Sequence, residues 1–255
     1  MSQPPNWQRG MIRVDLDETV GFVTFDRPEK LNAMDRAFWP DLRAALVWAE
    51  EAGARCIVFR GAGTRAFCVG GDVKSFAALS TEEERRAFQI DAMATFDAIA
   101  RCALPTVAAV RGLALGGGCE VAMACDMVIA ADDAVFAMPE ARFGLVPGYG
   151  VLRAPSVVGA QITKFMVFGG EKLDAESALR LGLVQRLSTV DGLMDDALAL
   201  ARKVAAVPPA AIAAGKALID TAIDPARVAQ SIEMVTALHS TPESRAAVSS
   251  FGEKA

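Results

Sequence analysis

The spacing of apolar residues along this 255-residue chain changes several times, and each change predicts an element. Val20 to Phe25 is a short apolar run ended by Asp26-Arg27-Pro28, which predicts a buried strand. From Asp35 the period lengthens. Phe38, Leu42, Leu46 and Ala49 recur every three or four residues, so a helix capped by Asp35 should run to about Glu51 and stop at Gly53. Cys56-Ile-Val-Phe59 predicts another short strand, followed by a glycine-rich loop from Gly61 to Asp72. Thr81 and Glu84 have capping-box spacing ahead of a long helix to about Arg101. Thr106 to Val110 predicts a strand, the glycines at 116–118 a turn, the residues around Glu120 a short helix, and Met127 to Ala130 a further strand.

Beyond Pro155 the pattern is mostly helical. Asp174 starts a helix that Gly182 ends, and Leu183-Val-Gln-Arg-Leu187 predicts one more strand. Pro208-Pro209, Asp224-Pro225 and Thr241-Pro242 then separate successive helices. Strands alternating with helices, then helices alone, predict an α/β body over residues 1–190 and a helical region over 191–255. The last helices carry more apolar positions (Ile232, Val235, Leu238, Phe251) than they can hide by themselves, so they are expected to pack on the body or on another subunit.

Composition narrows the classes. With 53% apolar residues, a large core needs no staples. The net charge of −5 speaks against a nucleic-acid surface. Five cysteines, with no C-x-x-C pair, argue against a disulfide framework or zinc site and suit a reducing cytoplasm. Arg111, Asp126 and Asp132-Asp133 interrupt the best apolar runs, so no membrane span is expected.

Candidate chemistry centres on two carboxyls. Glu120 closes Gly112-Leu-Ala-Leu-Gly116-Gly117-Gly118-Cys119-Glu120, and Glu140 closes Phe136-Ala-Met-Pro139-Glu140 ahead of Gly144-Leu-Val-Pro147-Gly148. Two acids in different surroundings can divide acid and base roles, and bare glycine N–H groups can hold a developing negative charge. Alone, Glu120 is equally a first-turn glutamate favoured by the helix dipole, and Glu140 equally a surface loop residue. Gly61-Ala-Gly63-Thr-Arg-Ala66 fits G-x-G-x-x-A, but Gly70-Gly71 would break the helix that a dinucleotide needs, so a tight turn is expected. His239, the single histidine, sits where a helix ends and is expected to be structural rather than a catalytic base.

Taken together, four segments resemble the crotonase (enoyl-CoA hydratase/isomerase) superfamily in order: Arg27-Pro-Glu-Lys-Leu-Asn32-Ala-Met34, Ala66-Phe-Cys-Val69-Gly70-Gly71-Asp72-Val73, the Val110–Asp126 stretch, and Phe136 to Gly148. Ala178-Leu-Arg-Leu-Gly182-Leu-Val184 also fits, and the match covers about residues 11–254. The resemblance implies a spiral of repeated ββα units with a C-terminal helical oligomerisation region, usually forming trimers or dimers of trimers. It implies an oxyanion hole from the N–H groups of Val69 and Gly117, with Glu120 and Glu140 acting on a water that adds to a 2-enoyl-CoA. It further implies substrate contacts at Glu29, Lys30, Leu31, Gly70, Gly71, Asp72, Gly116 and Gly148, and at Phe251 and Lys254 toward a neighbouring subunit's CoA. No cofactor is implied, because coenzyme A belongs to the substrate. Other relatives isomerise or hydrolyse acyl-CoA, and some bind RNA. The chain departs from the family at Tyr149-Gly150-Val151-Leu152, where more glycines and a Thr-Gln-Arg run are usual, and at Ala246-Ala247. Tyr149, the single tyrosine, either packs in the acyl-pocket wall or donates a hydrogen bond to substrate.

Overall fold

The computed structural model describes residues 6–219 and 224–252. An antiparallel meander opens it: β1 (Asn6–Arg9), β2 (Ile12–Asp17) and β3 (Val20–Phe25). Next comes α1 (Phe38–Glu51), ahead of which Asp35 Oδ1 accepts the N–H groups of Ala37 and Phe38 at 3.0 and 3.1 Å. From here the chain shuttles between two sheets. β4 (Cys56–Gly61), β6 (Thr106–Val110), β8 (Met127–Ala131) and β11 (Arg186–Ser188) extend the first sheet in parallel, giving the order β1-β2-β3-β4-β6-β8-β11. β5 (Ala66–Cys68), β7 (Leu113–Leu115), β9 (Val135–Ala137) and β10 (Leu173–Asp174) form the second, in the order β10-β9-β7-β5.

Helices close each circuit. After β5 come α2 (Val73–Ala77) and α3 (Glu82–Ala100); after β7 comes α4 (Gly117–Ala124). After β9 come a 3₁₀ turn (Pro139–Phe143), α5 (Gly150–Val157) and α6 (Ala160–Phe168), with α7 (Ala175–Arg180) following β10. Strand in one sheet, strand in the other, then helix is the expected ββα spiral. The Thr81–Glu84 capping box is present at the start of α3. The C-terminal helices are α8 (Leu193–Ala205), α9 (Pro209–Ile219), α10 (Pro225–His239) and α11 (Pro242–Gly252).

The main core lies between the sheets and α1, α3 and α4, built from Phe25, Phe38, Phe59, Phe67 and Phe136. A second core lies on the outer face of the large sheet, where Val58, Val107 and Ile129 meet Ala197 and Ala201 of α8. The helical stretch after residue 190 therefore begins as a layer on the sheet. Two local expectations change. The glycine-rich 61–72 loop contains β5, and the strand expected over 183–187 starts only at Arg186. The N–H groups of Leu183 and Val184 donate to Ala178 O at 3.0 and 3.2 Å, closing the end of α7 instead of joining the sheet.

Candidate active site

A cavity of about 960 Å³ opens between the 27–34 loop, the 69–74 segment, α3, the start of α4 and residues 139–149. Every residue expected to act lines it, apart from Phe251 and Lys254. Lys254 and the Phe251 side chain lie outside the described residues.

One wall is the 27–34 loop. Leu31 and Asn32 both take left-handed conformations (φ 54° and 59°), which only a strong tether maintains. The fully buried Asn32 is that tether. Its amide donates to the carbonyls of Ala62, Ala66 and Phe67 at 3.0, 2.9 and 3.2 Å, and its Oδ1 accepts the Arg27 N–H at 3.0 Å. Asp72 proves to be part of the same scaffold: it caps α2 through the N–H groups of Lys74 and Ser75 and pairs with Arg27 at 2.8 Å. Burial pushes its carboxyl up, but hydrogen bonds from Ser75 and Arg27 outweigh this and hold it below the usual range. Its carboxylate oxygens are thus engaged with the protein.

The backbone N–H groups left free beside the acids are not both the expected ones. Val69 N–H donates to Leu31 O at 3.3 Å, so it is not free for a ligand. Two residues on, Met34 N–H donates to Gly70 O and Asp72 N–H to Met34 O, a bridge that leaves the intervening Gly71 N–H without a protein partner among the described residues. A Cβ on Gly71 would meet nothing within 4 Å, so its surroundings are open. Gly117 N–H is equally unengaged, as the first residue of α4 must be. A Cβ on Gly70 would lie 3.0 Å from Gly117 N, so the two segments run side by side. The unengaged N–H beside that of Gly117 is therefore the one on Gly71, while that of Val69 is taken up by Leu31. Motif matching misses this, because the signal is a backbone hydrogen-bond pattern.

Glycine makes that approach possible. Gly116 has φ 51° and ψ −125°, a conformation closed to other residues, and a Cβ there would sit 2.7 Å from Glu140 Oε1. A Cβ on Gly118 would lie 2.0 Å from Cys68 O. β5 is thereby pressed against the first turn of α4.

Glu120, in that turn, is 6% exposed, and its Oε1 accepts the N–H groups of Tyr149 and Gly150 at 2.9 and 2.7 Å. Glu140 belongs to the 3₁₀ turn, not a plain loop, and its Oε2 is buried with no hydrogen-bond partner among the described residues. Burial raises the pKa of both acids well above the carboxylate range, and the charge of Glu120 raises Glu140 further. Tyr149 is wall: its ring stacks on Phe96 with centroids 4.9 Å apart while its backbone holds Glu120. His239 stacks on Phe76 at 3.9 Å and does not line the cavity. Burial, then Arg85 and Arg245, push its pKa down to about 4.

This geometry sits within a known family. Residues 15–255 match the model of the enoyl-CoA hydratase/isomerase family. The chain belongs to that family. It is 33% identical to a short-chain-enoyl-CoA hydratase of Clostridium acetobutylicum over 95% of both chains. It is 39% identical to a carnitinyl-CoA dehydratase of Salmonella arizonae over 79% of this chain and 77% of that protein. An enoyl-CoA hydratase/isomerase from Xanthobacter autotrophicus superposes with a TM-score of 0.88 at 31% identity, over 96% of this chain and 94% of that one. Several residues of this family member's cavity are not apparent from the motifs: Trp39, Gln89, Met93 and Phe96, and the exposed cations Arg65 and Lys74 near its edge. Their one sequence signal is the helical spacing of 89, 93 and 96, which reads as ordinary core.

Proposed function

We propose that this family member is an acyl-CoA hydratase, adding water across the double bond of a 2-enoyl-CoA to give the 3-hydroxyacyl thioester. The observation that carries this is the pair of buried acids in one cavity, Glu120 fixed by two N–H groups and Glu140 with an unpartnered oxygen, beside two free backbone donors. The thioester oxygen lies between the N–H groups of Gly71 and Gly117. A water bridges the two carboxyl groups. Its oxygen bonds to the β-carbon while one carboxylate takes its proton. The electron pair of the double bond moves to the thioester oxygen, where the two donors and the N-terminal dipole of α4 stabilise the enolate. A proton from the acid pair then joins the α-carbon, closing the balance. The raised pKa values suit acids that must exchange a proton near neutral pH.

Lys30, Arg65 and Lys74, all exposed and lining the cavity, suit the phosphates of the CoA moiety. Coenzyme A arrives as part of the substrate, and none of these steps calls on another cofactor. Among the described residues the five cysteines are free thiols, four of them buried, which supports a cytoplasmic location. Assembly as a homotrimer, or a pair of trimers, completes the proposal.

The test follows the absorbance of the conjugated enoyl thioester in wild type, Glu120→Gln and Glu140→Gln. Each variant should fold and bind CoA thioesters but hydrate them at least about a hundredfold more slowly. Turnover near the wild-type rate in both would refute the assignment.

A further inference from the structure

Past the acid pair the cavity is walled by aromatic rings. Trp39 meets Phe88 and Phe96 edge-on, with centroids 5.6 and 5.5 Å apart, and Phe96 stacks on Tyr149. From α3, Gln89, Ala92, Met93 and Phe96 share one face at helical spacing and all line the cavity. Gln89 is the exception in this apolar stripe. It is only 8% exposed, and its amide has no hydrogen-bond partner among the described residues. Its Oε1 would stand 3.4 Å from a Cβ on Gly148. That places the amide beside the segment whose next two N–H groups hold Glu120. The amide borders the cavity, where a methionine or leucine would complete the apolar wall better, so it is placed to meet a polar group that enters there.

We propose that the acyl recess is built for an enoyl thioester whose chain carries an uncharged hydrogen-bonding group a few atoms beyond the double bond, a hydroxyl, carbonyl or amide, and that Gln89 recognises it. The inference rests on the hydratase assignment of the same site. An anionic chain would bring a third acid beside Glu120 and Glu140. A cationic chain would approach Arg85, one turn before Gln89 on α3, which is 7% exposed and bonded to Leu79 O, Ser80 O and Ser240 Oγ. A glutamine amide both donates and accepts, so it can satisfy a hydroxyl in either direction.

Two chain-matched probes test this: 5-hydroxy-2-pentenoyl-CoA and 2-hexenoyl-CoA, which differ by a hydroxyl in place of a methyl. Wild type should prefer the hydroxyl chain by roughly tenfold or more in kcat/KM. Gln89→Met should collapse or reverse that ratio, chiefly by gaining on the alkyl chain. A wild-type preference for the alkyl probe, an unchanged ratio in Gln89→Met, or a stronger preference for a trimethylammonium-bearing enoyl thioester would each overturn the proposal. Calorimetric binding of the two saturated analogues to wild type decides the matter even if the variant fails to fold. Tighter binding of the hydroxyl analogue with no hydration of any enoyl thioester would overturn the hydratase assignment and leave the recess assignment standing. Equal binding with fast hydration of both probes would overturn the recess assignment alone.

Discussion

Glu120 and Glu140 are neighbours in space yet are held in opposite ways. Two backbone N–H groups fix Glu120, whereas Glu140 keeps a buried oxygen with no donor. Burial raises both pKa values, and for Glu140 the adjacent acid adds to the shift. The sign of the stability effect follows. Unfolded glutamates release their protons near pH ~4.3, while the folded pair retains protons to higher pH. Over that window the native state binds more protons than the unfolded chain, so stability falls as pH rises from the carboxylate range toward neutrality. The double variant Glu120→Gln/Glu140→Gln has no such charge to bury. Its melting temperature should gain on that of wild type as pH rises across the window, and the gap should narrow on acidification. Melting curves that shift in parallel at every pH would show that the two carboxyls are not held above their ordinary range.

At the scale of elements, the site depends on β5 lying against the first turn of α4, and two glycines separate geometry from chemistry there. Gly118→Ala would drive a Cβ to 2.0 Å from the Cys68 carbonyl. Backbone has to move, so the loss should reach or exceed the ~1–3 kcal/mol typical of overpacking. Gly71→Ala points its methyl into open space at an ordinary φ, so its stability should stay within about 0.5 kcal/mol of wild type. Urea titration of both variants checks the contrast, and equal destabilisation would mean that the β5–α4 contact is looser than described. The same region marks the limit of what the sequence discloses. Long periodic elements such as α1 and α3 are legible, as is the capping box at Thr81. β5, β7 and β9 have three residues each, too few for any alternation to register. The acids are legible from their motifs. The donor beside Gly117 is not, because Val69 and Gly71 differ only in which N–H the fold has already used. Asn32 stands in the signature but gives no hint in sequence that it ties two loops together through four hydrogen bonds.

For the whole molecule, α9 is the element the single chain leaves unexplained. Its sequence, Pro-Ala-Ala-Ile-Ala-Ala-Gly-Lys-Ala-Leu-Ile, is almost entirely apolar, yet none of its residues is buried. Leu218 and Ile219 are 85% and 80% exposed, and on α6 Phe165 and Phe168 are 53% and 71% exposed. An apolar helix in water needs a cover. What holds α9 to the body is polar: Lys216 Nζ reaches Asp126 at 2.8 Å, with both side chains partly buried. Such a pair orients the helix without covering it. Copies of the chain in closed symmetry are the simplest cover, because one self-complementary arrangement buries the face on every copy at once. With the proposed trimer or pair of trimers as the closed arrangement, light scattering should give three or six times the monomer mass. Leu218→Glu/Ile219→Glu, which puts charge on the exposed face and touches no cavity residue, should shift the mass toward the monomer and make the melting temperature depend more steeply on protein concentration. Wild type that runs as a monomer at micromolar concentration would end this account of α9. If instead the double variant stays assembled, the subunits meet elsewhere, and the Phe165–Phe168 face of α6 becomes the surface to charge next.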